Sequence, residues 1–127
     1  MAKQETWKQE PDAHDYPAAG DYLSLLFDPA LAAEMSKALQ TAPLHTYKAK
    51  DLLRASGLPE LPSNNVHVAK DLKKVKEGIR LSPVLLVRGS VRDGLPLIIA
   101  DGYHRICASY SLDEDATIPC RIVDLPG

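Results

Sequence analysis

The sequence predicts an α+β domain: helices packed on a small mixed β-sheet, preceded by an N-terminal helical extension. Three patterns carry that expectation. Short unbroken apolar runs at residues 84–87 and 97–100 are bounded by proline, glycine and polar residues, as buried strands are. Leu31, Met35, Ala38 and Leu39, and further on Val68, Leu72 and Val75, recur at the spacing of amphipathic helices. The order is helices, strand, helix, hairpin, helix and a last alternating strand, with no internal repeat.

Residues 1–20 are polar and aperiodic, which predicts a loose arm or irregular wrap anchored by Trp7 and Tyr16. From Asp21 the chain turns helical, with Tyr22, Leu23, Leu25, Leu26 and Phe27 as a short apolar segment. Asp28-Pro29 then reads as an N-cap followed by proline at the first helical position. That helix runs through Met35, a core filler, and is closed by Pro43. Alternation at Tyr47 and Ala49, followed by Leu52-Leu53, predicts a strand leading into a turn or short helix. Gly57, Pro59 and Pro62 mark a loop, and Ser63, Asn64 or Asn65 caps the next helix, which Gly78 stops. Lys70, Lys73, Lys74 and Lys76 give this helix a basic surface, in the plainest reading a solvated face.

Ser82-Pro83 leads into the strand at 84–87, and Asp93-Gly94 supplies a hairpin turn. Residues 95–100 return as a strand that Pro96 confines to an edge or a bulge. A helix from His104 to near Leu112 follows. The last strand alternates Ile118, Cys120 and Ile122 with Pro119, Arg121 and Val123.

Composition narrows the function classes. With 45% hydrophobic and 25% charged residues, the chain has the balance of a folded globule. A formal net charge of −2 gives no overall basic field, so the chain alone is not expected to bind nucleic acid. No apolar run is long enough to cross a bilayer, and the first residues do not resemble a secretion signal. Cys107 and Cys120 form neither a disulfide framework nor a zinc pattern. A soluble cytoplasmic protein without a membrane partner is the expectation.

The chemistry concentrates in residues 97–108, LIIADGYHRICA. A strand ends at Asp101-Gly102 and a helix begins at once, so the first helical N–H groups lack intrahelical partners and the helix dipole adds partial positive charge. Such a junction is an anion site. Asp101, His104 and Arg105 crowd around it with a carboxylate, an imidazole and a guanidinium. A structural account of the same residues has Asp101 capping the helix, His104 satisfying a backbone carbonyl and Arg105 pairing with the acidic loop at 113–115. His14, His45 and His67 stand apart from one another and form no recognisable metal set.

LSPVLLVRG, a hairpin, PLIIADGYHRICASY and IPCRIV together resemble the ParB/sulfiredoxin superfamily. The resemblance runs from about His45 to Val123. It divides the chain into residues 1–44, an arm and helical extension, and residues 45–127, a ParB/sulfiredoxin-like domain. In that superfamily the junction binds nucleotide phosphates. Sulfiredoxins carry a catalytic cysteine where this chain has Tyr103, and a phenol cannot replace the thiolate, so sulfiredoxin activity is not expected. Cys107, a turn further on, reads as buried packing. Partition proteins match only at Gly102 and Arg105.

The closest junction is that of the free-serine-kinase branch, Asp-Gly-His-His-Arg, against Asp101-Gly102-Tyr103-His104-Arg105 here. By that resemblance Asp101 holds Mg²⁺ or orients an acceptor hydroxyl, while His104 and Arg105 hold phosphate oxygens. Asp101 and His104 are thus the candidate catalytic residues. Gly102, Tyr103, His104 and Arg105 are the nucleotide-contacting ones, together with Lys70, which matches a lysine early in the family's basic helix. Phosphoryl transfer fits these residue types because it depends mainly on positioning and charge neutralisation. No residue matches as a catalytic base; Glu60 lies in a suitable loop without a supporting motif.

The resemblance therefore implies a domain that binds ATP, ADP or CTP with Mg²⁺ and acts as a small-molecule kinase on a hydroxyl-bearing substrate or as a nucleotide hydrolase. Its rivals are a non-enzymatic regulatory or interaction module and a nucleic-acid-binding protein using the basic helix. Pairing of two copies into a homodimer stays open.

Overall fold

The computed structural model describes residues 6–125. Among them five helices, α1 (Asp15–Leu23), α2 (Pro29–Leu39), α3 (Ala49–Ser56), α4 (Val66–Lys76) and α5 (Tyr103–Leu112), accompany four strands. The strands are β1 (Leu44–Lys48), β2 (Val84–Val87), β3 (Ile98–Asp101) and β4 (Thr117–Val123), which form one sheet in the order β1-β4-β2-β3. β1 runs antiparallel to β4, β4 parallel to β2, and β2 antiparallel to β3. The fold is mixed α+β, as the sequence predicts, and β3 lies at a sheet edge, one of the two placements that Pro96 allows.

Helices cover both faces of the sheet. Every residue of β2 is buried, and successive side chains alternate between two cores. Val84 and Leu86 pack with Leu52 of α3, Val68 of α4 and Ile106 of α5. Leu85 and Val87 meet Ala19 and Leu23 of α1 and Met35 and Leu39 of α2. The unbroken VLLV run thus reflects a strand covered on both sides.

The caps form where the sequence signals them. Asp28 accepts a hydrogen bond from the Leu31 N–H at 3.0 Å, with Pro29 opening α2. Asn65 accepts from the N–H groups of His67 and Val68 at 3.0 and 3.2 Å. Asp28→Ala should cost about 1 kcal/mol, the usual value of an N-cap, read as a lower urea midpoint with an unchanged m-value; no shift would mean that the cap contributes nothing.

Two expectations are corrected. Within the predicted loose arm, α1 begins at Asp15 rather than at Asp21. Its buried residues are Asp15, Ala19 and Leu23, so an aspartate stands where an apolar residue would have completed the stripe. Trp7 and Tyr16 do anchor this segment, one in each core, and Trp7 bridges to Leu81 in parallel. The part of the arm before Thr6 lies outside the described residues. The strand expected at 95–100 is shorter, because Pro96 has no N–H and the Leu97 N–H turns aside to the Ala55 carbonyl at 3.0 Å.

Candidate functional site

The site grows from the end of β3. Gly102 caps α5 with φ +111°, a conformation strained for any residue with a side chain. A Cβ there would lie 2.4 Å from Val84 Cγ1 and 2.8 Å from Val84 Cβ. Glycine thus serves twice, turning the chain and letting its backbone press against the first residue of β2. The Gly102 carbonyl accepts the first helical hydrogen bond, from Ile106 at 3.0 Å. The N–H groups of the first turn before it have no intrahelical partner.

Beside this turn is a cleft of about 150 Å³. Asp101, Gly102, His104 and Arg105 line one side, and His67, Lys70 and Asp71 of α4 line the other. The fold therefore brings together five of the six residues singled out from the sequence, Lys70 included. Tyr103 points elsewhere: its hydroxyl donates to the Pro59 carbonyl, and its ring packs against the core beneath α5. Glu60 lines a separate hollow with Lys50 and Tyr110. Cys107 is fully buried, with the Leu61 N–H 3.5 Å from its sulfur, and burial pushes the thiol up, so it is a packing residue.

The structural account of the junction also needs correcting. Gly102, the N-cap, makes no side-chain capping bond, and Asp101 turns to Arg105 instead. Arg105 does not reach the acidic loop, where Asp115 is engaged by Lys48 and Lys50. Arg105 Nη2 donates to Asp101 Oδ2 at 2.9 Å and to the Pro83 carbonyl at 3.4 Å, and it lies 4.0 Å from Asp15 Oδ2. Its Nε is buried without a partner. Among the described residues the His104 ring makes no hydrogen bond to a backbone carbonyl; it lies 4.6 Å from the His67 ring, centroid to centroid.

Burial governs the ionisation of these groups. It pushes Asp101 up, Arg105 works against it, and the neighbouring Asp15 carboxylate adds to it. Burial also raises Asp71, opposed by Lys74, Arg105 and the two histidines. His104 is lowered by burial and then by His67, so near neutral pH it is an uncharged imidazole. Lys70 is exposed and, among the described residues, enters no ion pair.

Mg²⁺ is a hard ion that takes one or two carboxylates and keeps several waters. Two carboxylates, Asp15 and Asp101, face a single guanidinium. Of the two, Asp101 also borders the cleft and is the residue that would hold such an ion. Asp12, His14 and Asp15 bring three ligand atoms within 4.8 Å of one another. There, however, Asp12 is already bound by Lys8 at 2.7 Å and Asp15 accepts the Asp12 N–H at 3.0 Å.

Sequence reasoning missed His67, Asp71 and Asp15. His67, Lys70 and Asp71 follow i, i+3, i+4 spacing, so a polar stripe on one helix face was present to be read. Asp15 offered no such signal, since its partner lies in α5. Among the described residues no helix is long and apolar enough to cross a membrane. No family model, curated protein or solved structure matches the chain.

Proposed function

We propose that the cleft at the start of α5 holds the phosphate oxygens of a nucleoside di- or triphosphate with Mg²⁺, and that the protein is a small-molecule kinase or nucleotide hydrolase. One observation carries the reading: Lys70 from α4 and His104 and Arg105 from the first turn of α5 converge on one small polar cleft. Two elements far apart in sequence thus bring an ammonium, a neutral imidazole and a guanidinium to one cleft, beside unpaired helical N–H groups. The resemblance of the junction to the ParB/sulfiredoxin superfamily, and of Asp101-Gly102-Tyr103-His104-Arg105 to its free-serine-kinase branch, supports the same assignment.

The size of the cleft limits what enters. At about 150 Å³ it is smaller than the roughly 300 Å³ at which pockets begin to enclose a whole small molecule. A phosphate group fits; the nucleoside and the acceptor lie against the outer surface. Bound there, Mg²⁺ would be held by Asp101 and would neutralise phosphate charge. The chain's own residues orient the phosphate: Lys70 as a mobile point charge, His104 through one ring N–H, and Arg105 as a guanidinium fixed in place by Asp101.

A thermal-shift panel of ATP, ADP, CTP and GTP, each with and without Mg²⁺, tests this directly, because a ligand specific to the folded state raises Tm. Lys70→Ala should weaken binding of the stabilising nucleotide by about tenfold, the loss of one charge-assisted contact, and leave unliganded Tm unchanged. A panel without any shift, or a Lys70→Ala variant with full affinity, would contradict the assignment.

A further inference from the structure

The cleft holds a carboxylate that the nucleotide reading leaves without a task. Asp71 is a charged residue at the middle of α4, yet it is only 9% exposed. It lines the cleft together with Asp101, and among the described residues its one ion pair is a loose contact with Lys74 Nζ at 4.0 Å. Asp101 is committed differently, through a 2.9 Å bond to Arg105. Of the two carboxylates bordering the cleft, one is therefore tied to a guanidinium and the other is free to exchange a proton. Facing Asp71 are His67, Lys70 and Lys74 from its own helix, His104 and Arg105 from α5, and Asp101 from β3.

We propose that Asp71 is the general base of the phosphoryl-transfer reaction, taking the proton from the hydroxyl or water that attacks the terminal phosphate. The inference rests on the nucleotide reading above. In the step, the attacking oxygen forms its bond to the terminal phosphorus while its proton passes to the Asp71 carboxylate. The bond from phosphorus to the bridging oxygen breaks, and its electron pair leaves with the nucleotide, now one phosphate shorter. Asp71 then returns the proton to solvent through the open side of the cleft. The geometry suits this division of labour, since Asp71 comes from α4 and His104 and Arg105 from α5, and all three line one cleft. His104 and Arg105 hold the oxygens of the group being transferred, and Asp71 borders the same cleft from α4. Burial raises the Asp71 carboxyl, which makes it a better proton acceptor than a solvated aspartate.

The same burial makes Asp71 costly to the fold. A carboxyl whose pKa is raised on folding favours the native state when protonated and weakens it as pH rises past the ordinary carboxylate range. Asp71→Asn keeps the shape and removes the charge, so at neutral pH its Tm should be higher than that of the unmodified chain. The gain should vanish in acid, where both are uncharged. A carboxylate kept for structure would give the opposite sign.

The test measures binding and turnover separately on the full chain. Equilibrium dialysis with Mg²⁺ and labelled ATP or CTP gives the first; release of inorganic phosphate, and transfer to a panel of small hydroxyl compounds, gives the second. Asp71→Asn should bind nucleotide within about twofold and lose roughly 10²–10⁴-fold in kcat, the range of general-base catalysis. Asp71→Glu, which keeps a carboxylate, should recover part of that rate. Turnover that survives Asp71→Asn with binding intact would overturn the base and leave the nucleotide site standing. So would an unmodified chain that binds nucleotide and turns none over. A chain that binds neither nucleotide would overturn the site itself, and Asp71 with it.

Discussion

Arg105→Ala is expected to destabilise the protein by about 3–5 kcal/mol at neutral pH, the usual cost of removing one partner from a buried ion pair. The guanidinium is 17% exposed and faces two carboxylates, Asp101 at 19% and Asp15 at 4%. Without it both are left in a poorly solvated site with the nearest positive charge gone. The pH dependence has a definite sign. Burial already raises Asp101, and a carboxyl raised on folding is tolerated when protonated, so the deficit should shrink as pH falls and widen as it rises. Urea titrations at neutral and mildly acidic pH measure both quantities. A deficit independent of pH would mean that lost packing, and not stranded charge, is responsible. Where the variant is folded, it should also lose nucleotide binding, and Arg105→Lys should restore stability better than affinity, since an ammonium cannot present a planar fork.

Gly102→Ala should be comparably severe. The positive φ costs an ordinary residue about 1–2 kcal/mol, and forcing a methyl group against Val84 adds about 1–3 kcal/mol of overpacking. Because Gly102 itself lines the cleft, displacing its backbone also disturbs the site. Loss of stability and loss of nucleotide affinity should therefore appear together. Val84→Ala in the same chain should relieve part of the clash and return stability to the double variant, as coupled neighbours do. A Gly102→Ala protein as stable as the parent would show that the two residues are not pressed together.

Local chemistry made much of this architecture readable in advance. Asp28-Pro29 and Asn65 announce helix starts because capping is decided within four residues. Asp93-Gly94 announces the hairpin, and Gly94 does adopt a positive φ. The abrupt passage from Ile98–Asp101 to Tyr103–Leu112 was visible because a single glycine separates a strand pattern from a helical one. What stayed hidden depends on distant parts of the chain. The helix Asp15–Leu23 escaped because its buried stripe includes an aspartate, and that aspartate makes sense only beside Arg105. The lysines of α4 disguised the neighbouring His67 and Asp71, since a basic helix face reads as solvated until a second helix is seen to close over part of it. The parallel pairing of β2 with β4 left no local mark either.

The strand order sets a condition on synthesis. Among the described residues Leu44–Lys48 pairs only with Thr117–Val123, and Val84–Val87 pairs with that same segment on one side. A nascent chain halted before Thr117 therefore has one strand with no neighbour and another with an open apolar flank. Thr117–Val123, which follows the other described elements along the chain, is the strand that joins the two halves of the sheet. A pause in translation just upstream of that strand would expose the edge most prone to pairing with another molecule.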